Sequence, residues 1–71
     1  MAQVKASMAG TVLTVLVSQG DQVEAGQDVI ILESMKMEVP VQADQPGRVK
    51  EIKVEAGAFV NDGEVLIELE E

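Results

Sequence analysis

The chain repeats itself once around a single lysine. Residues 2–33 and 39–70 align at one constant offset, which pairs Val4 with Val41, Ala6 with Ala43, Gly10 with Gly47 and Val12 with Val49. The same offset pairs Val17 with Val54, Gly20 with Gly57, Val23 with Val60, Gly26 with Gly63, Ile30 with Ile67 and Leu32 with Leu69. Between the copies lies Ser34-Met35-Lys36-Met37-Glu38. Solenoids need three or more units to bury their cores, and only two exist here. Two copies on a short link imply one pseudo-two-fold domain over residues 1–71, whose halves share one core. Lys36 falls at its midpoint.

Each copy reads as strands punctuated by turns. Val12–Val17 is rich in β-branched residues and suits a pleated, half-buried surface. Its counterpart Val49–Val54 is ambiguous alone, since apolar residues three apart also fit a helix, and the first copy decides for strand. In both segments the apolar phase slips between the first and fourth positions, which predicts a bulge or strong twist. Gly20 and Gly57, then Gly26 and Gly63, mark turns. In Val29–Leu32 and Leu66–Leu69 the shared positions predict Ile30, Leu32, Ile67 and Leu69 inward, with Glu33, Glu68 and Glu70 facing water. Strands of this length, with turns every eight or so residues, predict an all-β sandwich or barrel.

Composition excludes several functions. The 71 residues contain no Cys and no His, so disulfides, thiolate metal sites and imidazole catalysis are all absent. The formal net charge is −8, from 13 acidic and 5 basic residues. Such a surface repels nucleic acid and anionic lipid. One Phe, with no Trp or Tyr, leaves no platform for base stacking. The acidity serves solubility, and is compatible with steering toward basic clefts on partner enzymes. Asp21, Glu24 and Asp28 lack the loop spacing of a calcium site and read as solvated loop carboxylates. No apolar run approaches the ~20 residues of a membrane span. The chain opens without a signal-peptide pattern and carries no linker at either end. These features lead to the expectation of a cytoplasmic, free-standing or cleanly excised monomeric domain.

Local propensity and the repeat disagree at the centre. Leu32–Glu38 contains good helix formers and no Gly, Asn or Pro, so taken alone it favours a short helix. The repeat instead ends one strand at Glu33 and opens the next near Val39, leaving residues 34–38 as a hairpin connection. Pro40 then suits an edge strand, where a missing N–H does no harm. A tight turn would put Met35 or Lys36 at positive φ, costing on the order of 1–3 kcal/mol. Lys36 would stand exposed on a rigid tip.

Glu33-Ser34-Met35-Lys36-Met37 resembles the attachment motif of the biotinyl/lipoyl domain family, in which a lysine between two methionines receives biotin. The likeness covers nearly the whole chain, including Gly20-Asp21-x-Val23-x-x-Gly26-Gln27 and its echo Gly57-x-x-Val60-x-x-Gly63. In length and wording it is nearest to the stand-alone bacterial members. Ser34 departs from the common Ala but is also small, and the inserted thumb loop of some acetyl-CoA carboxylase carrier subunits is missing. The resemblance implies a flattened barrel-sandwich of two four-stranded antiparallel sheets, with Lys36 on a hairpin as the covalent biotin site. It further implies Met35 and Met37 as recognition residues, a biotin–protein ligase as modifying enzyme, and biotin carboxylase and carboxyltransferase components as clients.

A lysine amine has a reference pKa near 10.4 and is mostly protonated at neutral pH. The activated acyl group and the base must therefore come from elsewhere; the resemblance implies that a biotin–protein ligase supplies them, with this chain as substrate and carrier without catalytic residues of its own. Lys5, Lys50 and Lys53 fall on expected strands in ordinary surface settings. Lipoate on the same lysine is the nearest alternative, which the flanking methionines disfavour. An unmodified β-sandwich interaction module is the alternative of a different class.

Overall fold

The computed structural model describes residues 2–70, so the outermost positions of the expected 1–71 domain, Met1 and Glu71, lie outside the described residues. Eight strands follow one another: β1 (Ala2–Lys5), β2 (Gly10–Val15), β3 (Gln22–Val23), β4 (Asp28–Ser34), β5 (Met37–Gln42), β6 (Gly47–Ile52), β7 (Phe59–Val60) and β8 (Val65–Glu70). They form two four-stranded antiparallel sheets, ordered β1-β8-β6-β3 and β5-β4-β2-β7. This is the expected all-β architecture. Principal extents of 33 × 19 × 18 Å make it an elongated body.

The repeat in sequence is a repeat in space, and it exchanges the sheets. Shifting each strand by one copy turns the order β1-β8-β6-β3 into β5-β4-β2-β7. Each copy therefore sends its first and third strands into the sheet built on the other copy. The hydrogen bonds obey the same rule. The Gly20 N–H donates to the Val49 carbonyl at 2.8 Å, and the Gly57 N–H donates to Val12 at 2.8 Å. Likewise the Gly26 N–H reaches the Ala43 carbonyl at 2.7 Å and the Gly63 N–H reaches Ala6 at 2.9 Å. Gly20 and Gly57, at φ +93 and +94, sit where a side chain would be strained by the left-handed backbone.

Burial follows the expected faces. Ile30, Leu32 and Ile67 are fully buried and Leu69 nearly so; Glu33 and Glu70 are exposed, and Glu68 is half-buried. Four bulges, symmetric in pairs, alter the count. Register slips past Leu13 and Lys50, where the apolar phase predicts a bulge. It slips again past Val29 and Leu66, and there consecutive side chains, Val29 with Ile30 and Leu66 with Ile67, both enter the core. A bulge spends an extra residue on one strand and permits that doubled burial.

Several boundaries differ from the sequence reading. The strands expected over 12–17 and 49–54 run instead from Gly10 to Val15 and from Gly47 to Ile52. Beyond them Val17 is buried and Val54 half-buried, because the chain still lies against the core while turning away from the ladder. The two-residue strands β3 and β7 are too short to show any period, yet each holds a fully buried valine, Val23 and Val60. Pro40 lies on β5, an edge strand as expected.

Candidate functional site

Strands β4 and β5 make the hairpin that carries Lys36. Their ladder pairs Asp28 with Gln42, Ile30 with Val41, Ile31 with Pro40, Leu32 with Val39, Glu33 with Glu38 and Ser34 with Met37. Only Met35 and Lys36 remain for the turn, at φ 54 and 65. The connection thus has two residues, where the sequence leads one to expect five. Strand pairing extends past the repeat boundaries because a two-residue turn with both φ positive matches the natural twist of the flanking strands. The helix that propensity favours does not form, since Leu32 is anchored in the core and the ladder claims the backbone on both sides.

Rigidity comes from the body of the hairpin. Ile30 and Leu32 are fully buried and Val41 nearly so. At the far end of the hairpin, Gln42 Nε2 donates to Asp28 Oδ1 at 2.9 Å. On its other side β4 is paired with β2, which runs close: a Cβ placed at Gly10 would lie 2.6 Å from the Glu33 carbonyl oxygen and 3.5 Å from Ser34 Cβ. Only glycine permits that approach, and it presses the end of β4 against β2 directly beneath the turn. The sequence shows Gly10 as a repeated glycine without revealing this contact.

The tip itself is open. Met35 is 91% exposed and Met37 66%, so neither fills a gap in the core, and Lys36 between them is exposed as well. The three expected site residues therefore come together on one solvent-facing tip. Its primary amine is the chemistry on offer: a nucleophile on a long stem, fit for covalent attachment of an acyl group.

The other lysines occupy different settings. Lys5 is an exposed residue of β1 and Lys50 stands at a bulge of β6. Lys53 lies one residue past β6, off the strand on which it was expected, and pairs with Glu51 and Glu68 at 3.6 Å each. Among the described residues no cluster of His, Cys, Asp or Glu could hold a metal ion. Asp21 lies in a loop as expected, where its Oδ2 accepts from the Ser18 N–H at 2.8 Å, whereas Asp28, read as a loop carboxylate, opens strand β4 because the ladder with β5 reaches Gln42. Among the described residues no helix is long and apolar enough to cross a membrane.

Known proteins match this arrangement. A family profile described as "Biotin-requiring enzyme" matches residues 2–69. The Biotin/lipoyl attachment protein of Bacillus subtilis is 58% identical over 66 residues, covering 93% of this chain and 90% of that protein. The alpha subunit of Arabidopsis thaliana mitochondrial methylcrotonoyl-CoA carboxylase is 44% identical over 64 residues, which are 90% of this chain but 9% of that one. Among solved structures, the Kluyveromyces lactis urea carboxylase superposes with a TM-score of 0.87 at 33% identity, over 93% of this chain and 6% of the enzyme. Against the carboxylases, then, the chain spans only a small part of their length.

Proposed function

This chain belongs to the biotin/lipoyl attachment family, and on that premise we propose that it is a biotin carrier whose attachment site is Lys36. The carrying observation is the exposed amine on a two-residue turn between Met35 and Met37, braced by a hairpin whose apolar side chains enter the core. In this reading residues 1–71 are one carrier domain and the hairpin is its working end. The protein does no chemistry of its own. Lys36 Nζ, once relieved of its proton by a base on the biotin–protein ligase, attacks the acyl carbon of biotinyl-adenylate. An amide forms, the acyl–phosphate bond breaks, and AMP leaves. Met35 and Met37 offer flexible, polarizable surface on either side for the ligase to recognise.

When bound, biotin supplies a ring that takes up a carboxyl group at one active site and yields it at another. The lysine stem and acyl chain together span about eleven bonds, or roughly 14 Å of reach from standard bond lengths. Tethered at that radius, the ring reaches a high effective concentration at both sites. The clients in this reading are a biotin carboxylase and a carboxyltransferase, in keeping with the carboxylases among the relatives. The working compartment is the cytoplasm, where the ligase draws on ATP to make the adenylate.

Intact-mass analysis after coexpression with a biotin–protein ligase tests the site. One biotin per chain is expected, lost completely in Lys36→Arg and retained in Lys5→Arg, Lys50→Arg and Lys53→Arg. Arg keeps a positive charge but cannot offer a neutral amine. Labelling that survives Lys36→Arg sinks the assignment. A lipoyl increment after coexpression with a lipoyl ligase, without a biotin increment, would shift the reading to lipoate.

A further inference from the structure

The two outer sheet faces share one backbone plan but differ in chemistry. On sheet β1-β8-β6-β3, Arg48 stands opposite Glu70, and Lys53 pairs with both Glu51 and Glu68. That face balances its own charges. The repeat maps the same positions onto sheet β5-β4-β2-β7, where Thr11 stands opposite Glu33 and the ion-paired trio becomes Leu16, Thr14 and Ile31. Lys50 becomes Leu13, and Gln22 maps onto Phe59. Phe59 is 64% exposed, Leu16 52% and Leu13 39%. Beside this apolar surface Glu33 lies directly across the ladder from Glu38, a like-charge pair that weakens the hairpin. Neither carboxylate makes an ion pair or side-chain hydrogen bond among the described residues. Folding needs neither feature, because the other face makes the same sheet without them.

We propose that the outer face of sheet β5-β4-β2-β7 is the docking surface for the biotin–protein ligase, met there by an apolar patch ringed with Lys and Arg. The proposal rests on the carrier reading of Lys36. Charge, position and reach select this partner. Two unneutralised carboxylates just below the tip of the hairpin call for cations opposite them. The patch is continuous with the attachment hairpin: Ile31 lies three residues from Ser34, about 10 Å along the strand. A standard interface of ~800 Å² per partner has a radius near 16 Å and covers both at once. Finally, the ligase must reach the bare amine. An unmodified lysine stem extends only about 6 Å from its Cα, so this partner has to seat itself against the domain. The roughly 14 Å arm frees later partners from that demand.

Labelling kinetics with a bacterial ligase and saturating biotinyl-adenylate provide the test. The double variant Leu13→Lys with Phe59→Gln installs the residues that the other copy already carries at these positions, so the backbone accepts them. Its KM should rise at least tenfold with kcat within twofold, while its thermal midpoint stays at the parent's. The control Gln22→Ala with Lys50→Ala, on the opposite face, should leave both constants within twofold. Raising salt from about 20 to 200 mM should raise the parent's KM as screening shortens the Debye length. Glu33→Gln with Glu38→Gln should flatten that dependence. An unchanged KM in the Leu13/Phe59 variant, an equal loss in the control, or a fall in kcat alone overturns the docking face while the carrier reading stands. A parent chain that takes no label overturns both.

Discussion

Met35 and Lys36 occupy a backbone conformation that their side chains disfavour. Two-residue turns with both φ positive select Asn-Gly or Asp-Gly, because those residues tolerate the left-handed region. Here the angles are 54 and 65, and both positions carry long, unbranched side chains. Strain of on the order of 1–3 kcal/mol per such residue has to be held by the rest of the fold. Leu32 and Val41 in the core, and Gly10 beneath β4, are what hold it. The turn thus carries residues chosen for contact and chemistry over turn stability. Met35→Asn separates the two. It should raise stability by about 1 kcal/mol, read as a higher thermal midpoint, because Asn suits the first turn position. The same change should slow labelling of Lys36 by removing one of the flanking methionines. A variant that is less stable than the parent would show that Met35 contributes to the fold after all.

At Gly10 the backbone of β2 lies too close to the end of β4 for a side chain. Gly10 would bring a Cβ to 2.6 Å from the Glu33 carbonyl oxygen, and its mate Gly47 would bring one to 2.9 Å from that of Glu70. Both clashes are with backbone, so relief requires a strand to move. Gly10→Ala should therefore destabilise by about 1–3 kcal/mol, the usual cost of overpacking, and Gly47→Ala by less. Chemical denaturation of the two variants checks the order, and equal midpoints would contradict it. Gly10→Ala should also disturb the amide signals of Ser34–Glu38, since the displaced strand ends at the turn. The repeat makes both glycines conspicuous in the sequence, but their reason lies in a close approach between sheet neighbours that only strand order reveals. The same limit explains the other gaps. Lys36 was legible because symmetry isolates it and the methionines bracket it. The bulges at Leu13 and Lys50 were legible because the apolar phase breaks there. Those at Val29 and Leu66 were not, since a short apolar run reads alike whether its residues alternate or crowd inward. The pairing of Phe59 with Gln22 is visible in the repeat, yet it gains meaning only when each is assigned to a different sheet.

At the scale of the molecule the two copies are interlocked. Of the six strand pairings among the described residues, β1 with β8, β2 with β7, β3 with β6 and β4 with β5 join one copy to the other. Only β2 with β4 and β6 with β8 lie within a copy. A lone antiparallel pair is marginally stable at best in water, so neither copy has an independent fold to fall back on. Fragments 1–36 and 37–71 should each be unstructured alone, with collapsed amide dispersion and no cooperative thermal transition. Mixed in equal amounts they should recover the strand signal, because every cross-copy pairing except the turn itself can re-form. Their association replaces an intramolecular contact whose effective concentration is on the order of millimolar, so the recovered midpoint should climb with fragment concentration. A dispersed spectrum from either fragment by itself would mean that a copy folds as a unit. Interlocking also has a consequence for the hairpin. Lys36 sits on the one covalent link between two chains of strands that are otherwise woven together, and the β4–β5 ladder that sets its turn packs Ile30, Leu32 and Val41 into the shared core. The attachment point is thereby coupled to the cooperative stability of the whole domain. Labelling of Lys36 in the parent should consequently persist up to the global unfolding transition and end with it.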